Sequence, residues 1–282
     1  MRERHFDPRR SRPWSKSTRP GKPASGGHHK QQPRFRGGDH DGPVILFGWH
    51  TVKAALDNPQ RRFHRLLATE NAARRLEEAG CKLPLAPQLV RPEAIAAAVG
   101  PEAVHQGLLA EADPLPSPHI NELDPTGVLL VLDQITDPHN VGAILRSAAA
   151  FAVSAVITTA RHSPEATGVL AKAASGALEY VPMVTVPNLA RALQVLKDKA
   201  VLVVGLDSSG EADLVALALS APLALVLGAE GKGLRQLTRA TCDHVARLDL
   251  PGAIKSLNVS NATTLALYVA SRGIAGQRSG QR

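Results

Sequence analysis

With 282 residues, 44% of them apolar, the chain is long enough to build two domains with ordinary hydrophobic cores. No stretch approaches a membrane span, the N-terminus lacks the apolar run of a secretory signal, and Cys81 and Cys242 belong to no C-x-x-C pair; this argues against a membrane protein, a disulfide scaffold and a zinc site, and a cytoplasmic location is expected. The formal charge of +8 is unevenly placed, since residues 1–42 carry 11 Lys/Arg against 4 Asp/Glu and residues 43–282 carry 22 against 21.

Residues 1–42 are rich in Arg, Pro, Gly, Ser and His and hold almost no aliphatic side chain, so they cannot bury enough apolar surface to offset their ordering entropy. A basic tail, disordered when free, is expected. Its sparse aromatics, Phe6, Trp14 and Phe35, set among Arg and Gly, suit phosphate contact and base stacking on RNA; a merely solvated extension is the plainer alternative. From Pro43 the pattern becomes that of ordered sequence. Strands are expected at Val44–Gly48, His64–Thr69 and Val104–Ala110, and helices at His50–Leu56, Glu70–Gly80 and Arg91–Val99, which makes residues 43–111 a small α/β domain. Residues 112–124 follow as a linker, with Pro114, Pro116 and Pro118 favouring a semi-rigid extended chain.

Strands and helices then alternate over residues 125–275, as in a parallel sheet with helices on both faces, leaving 276–282 as a short C-terminal tail. The expected strands are 127–132, 154–159, 180–186, 201–206, 223–227 and 245–250, and their near-continuous Val/Leu runs indicate burial on both faces. The expected helices are 139–151, 165–174, 189–198, 233–240 and 257–272.

Three short segments of this second domain carry chemistry. In Asp133-Gln134-Ile135-Thr136-Asp137-Pro138-His139-Asn140 the first strand hands over to the first helix, beyond the carboxyl end of the sheet where ligands bind in such folds. Asn140 is either a helix cap or a site residue. Arg146, among Ala, Ile and Leu, should have a fixed anionic or carbonyl partner, because an unpaired guanidinium there would be costly. Gly228-Ala229-Glu230-Gly231-Lys232-Gly233 follows an apolar strand and matches neither a phosphate loop nor a dinucleotide turn; its glycines allow positive φ and close approach of backbone to a ligand. Ser256-Leu257-Asn258-Val259-Ser260-Asn261-Ala262 opens the last helix, with Ser256 a suitable N-cap and Leu257, Val259, Leu265 and Val269 expected against the sheet. The His residues form no ligand set, no G-x-S-x-G elbow is present, and no metal is implied.

In this order, the three segments resemble the SpoU/TrmH family of the SPOUT superfamily, RNA ribose 2′-O-methyltransferases that use S-adenosyl-L-methionine. The resemblance implies a trefoil-knotted, parallel-sheet α/β methyltransferase domain preceded by an L30e-like RNA-binding domain, of which His105-Gln106-Gly107 is a recurrent piece. It implies active-site roles for Asn140, Arg146, Glu230, Ser256 and Asn258, with Arg146 at the ribose 2′-hydroxyl, and cofactor contacts at Gly228, Leu248 and Leu257. It also implies a homodimer, and it points to the branch that methylates a guanosine of 23S rRNA. A tRNA ribose methyltransferase and a non-catalytic RNA-binding assembly factor are the alternatives. Asn261 stands where relatives often carry a small or β-branched apolar residue.

Overall fold

The computed structural model describes residues 42–160 and 168–280. The expected basic tail falls, up to residue 41, outside the described residues, as does the expected first turn of the helix beginning at Glu165.

The N-terminal domain runs Val44–Phe47 (β1), Trp49–Asp57 (α1), Phe63–Ala68 (β2), Glu70–Glu78 (α2), Gln88–Leu89 (β3), Pro92–Val99 (α3) and Leu108–Ala112 (β4). Its sheet has the order β1-β4-β2-β3, with β4 antiparallel to both long neighbours. Strand alternation feeds two cores: Leu66, Ala68, Leu108 and Ala110 meet α1 and α2, while Leu67 and Leu109 turn to the other face and meet Ile95 of α3. The strand expected over 104–110 lies at 108–112 instead. Gln106 and Gly107 adopt positive φ there, and the His105 imidazole accepts from the Gly107 amide, so the chain turns before the ladder begins.

The C-terminal domain contains Val128–Asp133 (β5), Pro138–Ala150 (α4), Ala155–Thr159 (β6), Gly168–Ala174 (α5), Met183–Val186 (β7), Leu189–Asp198 (α6), Leu202–Leu206 (β8), Ala212–Asp213 (β9), Leu223–Gly228 (β10), Gln236–Thr241 (α7), His244–Arg247 (β11) and Val259–Gly280 (α8). All pairings in its sheet are parallel, in the order β7-β6-β5-β10-β8-β11-β9. Both faces of the central strands are covered. Leu130, Leu132, Leu225 and Leu227 pack with α4 and α8, and Leu129, Val131, Ala224 and Val226 pack with α6. From β5 the chain leaves through α4 towards β6, and from β10 it leaves through α7 towards β11, in opposite directions along the sheet. The crevice between the ends of β5 and β10 is therefore the topological switch point at which such sheets bind ligands.

Several boundaries differ from expectation for local reasons. β7 starts at Met183 because Ala177–Glu179 forms a single 3-10 turn. α7 starts at Gln236 because the chain first folds back in an Ala229–Gly233 bridge. α8 starts two residues late and continues well past Arg272 to Gly280. On α8 the buried stripe is Val259, Thr263, Ala266, Leu267 and Ala270, with Val269 partly buried, whereas Leu257 and Leu265, expected inside, are exposed.

The linker is extended through its prolines, but its second half is docked. The Ser117 hydroxyl donates to the Met183 carbonyl (2.8 Å) and accepts from the Thr185 amide (3.2 Å), covering edge strand β7, and Ile120 is buried beneath it. The two domains also meet directly. The Arg61 guanidinium donates to both carboxylate oxygens of Glu179 (2.8–3.1 Å) and to the Asp113 carbonyl (2.6 Å), with side chains only 4% and 2% exposed, and the Thr51 hydroxyl donates to the Ala171 carbonyl.

Candidate active site

Asp133, the last residue of β5, is fully buried, and its carboxylate accepts from the Arg235 amide (3.0 Å) and Nε (2.6 Å). The segment leaving β10 is thereby tied to its neighbour on one side. On the other side Asp207, just after β8, accepts from the Ser209 hydroxyl (2.7 Å) and amide and faces Arg239 at 3.3 Å. Burial pushes the Asp207 carboxyl up, but the hydrogen bonds from Ser209 and the Leu234 amide, together with the Arg239 charge, outweigh that and hold it below its ordinary value. Two carboxylates at the ends of flanking strands thus fix residues 233–235.

Between them the loop turns tightly. A Cβ on Gly228 would lie 2.2 Å from the Gly233 carbonyl carbon, and Gly233, at φ +63°, sits against Asp207. These two glycines let the loop close on itself.

α4 begins with Pro138, and the Asp137 carboxylate caps it by accepting from the His139 amide (2.9 Å). Asn140 is not the cap, which leaves its side chain available. Its Oδ1 accepts from Asn258 Nδ2 (3.0 Å), and the same nitrogen donates to Glu230 Oε1 (2.7 Å). Glu230 Oε1 also accepts from the Val259 amide (3.1 Å), at the N-terminus of α8, where a carboxylate is favoured by the helix dipole. Asn258 caps that helix through Oδ1, which accepts from the Ser260 amide (2.9 Å), so the cap expected at Ser256 lies two residues later. One residue from each of the three motifs therefore meets at one point.

Two cavities flank this junction. One, of ≈ 490 Å³, has apolar walls from Leu206, Leu227, Leu248, Leu250 and Leu257 and a polar edge from Asp207, Ser208, Ser209 and Ser256, with Gly228 and Glu230 also lining it. The other, of ≈ 550 Å³, is lined by Gln134, Thr136, Asp137, Asn140, Glu230 and Lys232, among others. Ala229, Glu230, Lys232 and Val259 line both, so the glycine loop and the start of α8 form a shared wall.

Arg146 stands apart. It is exposed on α4, and no hydrogen bond or ion pair joins it to any described residue, so the fixed partner expected from sequence is absent among them. Its neighbours on that face are small, including Ala143 and Ala150, and leave the guanidinium in water. One helical position on, the Ser147 hydroxyl contacts that of Thr264 on α8 (2.7 Å). Sequence reading placed Asp133 and Gln134 on the loop facing the site without giving either a role, and missed the Asp207–Ser209 segment. Their signal was position: like Asn140, they follow the carboxyl ends of strands in a parallel sheet.

The SpoU rRNA Methylase family matches residues 127–268, and the family of RNA 2′-O ribose methyltransferase substrate-binding domains matches residues 45–118. The chain is 41% identical over 238 residues to a 23S rRNA (guanosine-2′-O-)-methyltransferase RlmB of Pseudomonas aeruginosa, covering 79% of this chain and 94% of the relative. It is 39% identical over 250 residues to the RlmB of Yersinia pestis, covering 82% and 98%. Among solved structures, the SpoU methyltransferase AviRb from Streptomyces viridochromogenes in complex with AdoMet superposes with a TM-score of 0.71 at 22% identity, over 82% of this chain and 90% of that one, a likeness of fold. A putative RNA methyltransferase of the TrmH family from Porphyromonas gingivalis gives 0.69 at 26% identity, over 82% and 90%. The chain belongs to the SpoU rRNA methylase family.

Proposed function

We propose that the protein transfers a methyl group from S-adenosylmethionine to a ribose 2′-hydroxyl of RNA, that its target is a guanosine of 23S rRNA, and that it acts in the cytoplasm as a homodimer. The observation that carries this reading is the meeting of Asn140, Glu230 and Asn258 at the wall between two cavities, one amphipathic and one polar. The names borne by the RlmB relatives support the choice of 23S rRNA and guanosine.

The amphipathic cleft fits the cofactor. Its leucine walls suit a flat purine, the Asp207 carboxylate and the hydroxyls of Ser208 and Ser209 offer partners to ribose hydroxyls, and its size is that of small-molecule sites generally. Gly228, Leu248 and Leu257 would hold it, with Ser256 at the rim towards RNA. When bound, S-adenosylmethionine supplies an activated methyl group on a sulfonium centre.

The residues of the chain do the rest. Asn258, held by Asn140 and Glu230, presents a fixed amide at the junction and aligns the ribose, which is worth much in a transfer between two bound partners. Arg146, permanently charged, lowers the pKa of the 2′-hydroxyl and grips the adjacent phosphate. Its lack of a partner among the described residues favours delivery from one protomer into the site of the other. Tyr268 and Leu265, exposed on α8 beside α4, would then be covered by the second copy. A trefoil knot completed by residues 249–262 belongs to the same reading.

Incubating the purified protein with radiolabelled cofactor and 23S rRNA from a strain lacking the gene, then mapping 2′-O-methyl nucleotides, tests it. One methylated guanosine is expected. Modification confined to tRNA would replace the substrate, and binding of RNA without methyl transfer by a cofactor-loaded protein would defeat the enzyme reading.

A further inference from the structure

Among the described residues, five other than glycine adopt a left-handed backbone: Gln106, Gln134, Ala152, Ser175 and Ala200. Three follow α4, α5 and α6 directly, where that conformation closes the last helical turn. Gln106 lies in the turn before β4 and uses its carboxamide oxygen to accept from the Trp49 amide (3.0 Å) and Lys172 Nζ (3.4 Å). Gln134, at φ +61°, has neither reason. It follows β5 without ending a helix, and its half-buried side chain hydrogen-bonds to no described residue while lining the polar cavity. Glycine takes this conformation freely and glutamine only at a cost, and such strain is retained where the side chain has work to do.

What that cavity meets follows from ribose chemistry. The base is attached to the carbon next to the one bearing the 2′-hydroxyl, so the base of the methylated nucleotide must lie beside the reacting oxygen and across the shared wall from the cofactor cleft. We propose that this cavity receives the base of the target nucleotide and that Gln134, with Asp137, makes it selective for guanine. The proposal deepens the 2′-O-methylation reading and rests on it. A carboxamide carries a donor and an acceptor side by side, which matches the O6 acceptor and N1–H donor of guanine. Turned over, it would match adenine as well, so a second group is required. Asp137 supplies it. One of its oxygens is held by the His139 amide, and the other is free to accept from the 2-amino group that adenine lacks.

The strained backbone makes a clean test available. In Gln134→Gly the amide is lost while the backbone is relieved, so the variant should fold and melt at the wild-type temperature or above it. Wild-type protein and the variant would be assayed on an rRNA fragment carrying guanosine, inosine or adenosine at the methylated position, with cofactor affinity measured by calorimetry. Unchanged cofactor affinity is expected, together with a fall of roughly 10-fold or more in kcat/KM on guanosine RNA, while the preference for guanosine over adenosine that Asp137 supplies persists in the variant. Inosine, which lacks the 2-amino group, should cost both proteins a similar factor because Asp137 remains. A variant that keeps wild-type kcat/KM on guanosine RNA overturns the role of Gln134, and equal turnover of guanosine and inosine by the wild type removes Asp137 from the selector. A wild-type protein that methylates none of the three overturns the transferase reading itself, and the base pocket with it.

Discussion

A guanidinium that finds no partner among the described residues, on a helix with small neighbours such as Gly142, Ala143 and Ala150, is poorly explained by stability. Arg146 contributes nothing visible to the fold, so its replacement should separate chemistry from structure. Arg146→Lys keeps the charge but loses the planar fork that can hold a hydroxyl and a phosphate together, so turnover should fall by orders of magnitude while cofactor affinity and melting temperature stay near wild type. Single-turnover rates at saturating RNA, beside calorimetry with the cofactor, measure both. Wild-type chemistry in the lysine variant would take Arg146 out of the site. Cys242 shows the opposite relation of environment to role: burial pushes its thiol up to about 11, so it is protonated at neutral pH and is no nucleophile.

At the scale of elements, the two domains are fastened by the pair between Arg61, before β2, and Glu179, after α5, with Asn58 and the Asp113 carbonyl completing the network. Breaking a buried pair leaves a charge without compensation, at a cost of about 3–5 kcal/mol, whereas apolar replacement of both partners is often near neutral. Glu179→Ala should therefore lower stability by about that amount in urea denaturation, and Arg61→Met with Glu179→Leu should restore much of it. An unchanged midpoint in the single variant would mean that the latch contributes little. No sequence pattern announces this contact, because its members are 118 residues apart and neither lies in a periodic run. The long apolar strands β5 and β10 were legible, as was α4, since burial on both faces writes itself as unbroken Val/Leu. β3 and β9 were not, because two residues carry no period. The cap of α4 was readable in principle: Pro138 at the first helical position points to Asp137 before it, not to Asn140 after it. The meeting of Asn140, Glu230 and Asn258 could be inferred only from family resemblance, because it depends on how three strand ends are ordered in the sheet.

For the whole molecule, the proposed reading has Arg146 enter the site from a second copy. Mixing inactive Arg146→Ala with a cofactor-pocket variant at Leu257 should restore part of the activity if each site draws on two chains, whereas a monomeric mass by light scattering at working concentration would defeat the idea. The charge distribution sets the remaining expectation. Residues 1–42 carry 11 Lys/Arg against 4 Asp/Glu and none of the three motifs, while the rest of the chain is nearly balanced, so long-range attraction to RNA should reside in the tail and the chemical step should not. If the tail neutralises about 3–4 phosphates, counterion release contributes a slope of roughly 0.7 per contact on single strands, and its removal should flatten the log-affinity against log-salt line by about 2–3 units. Removing it should weaken RNA binding at low salt and leave the single-turnover rate at saturation unchanged, because Asn140, Glu230 and Asn258 stay where they are. Binding of full-length and truncated protein to one rRNA fragment across a salt series decides the matter, and identical slopes would make the tail a bystander to recognition.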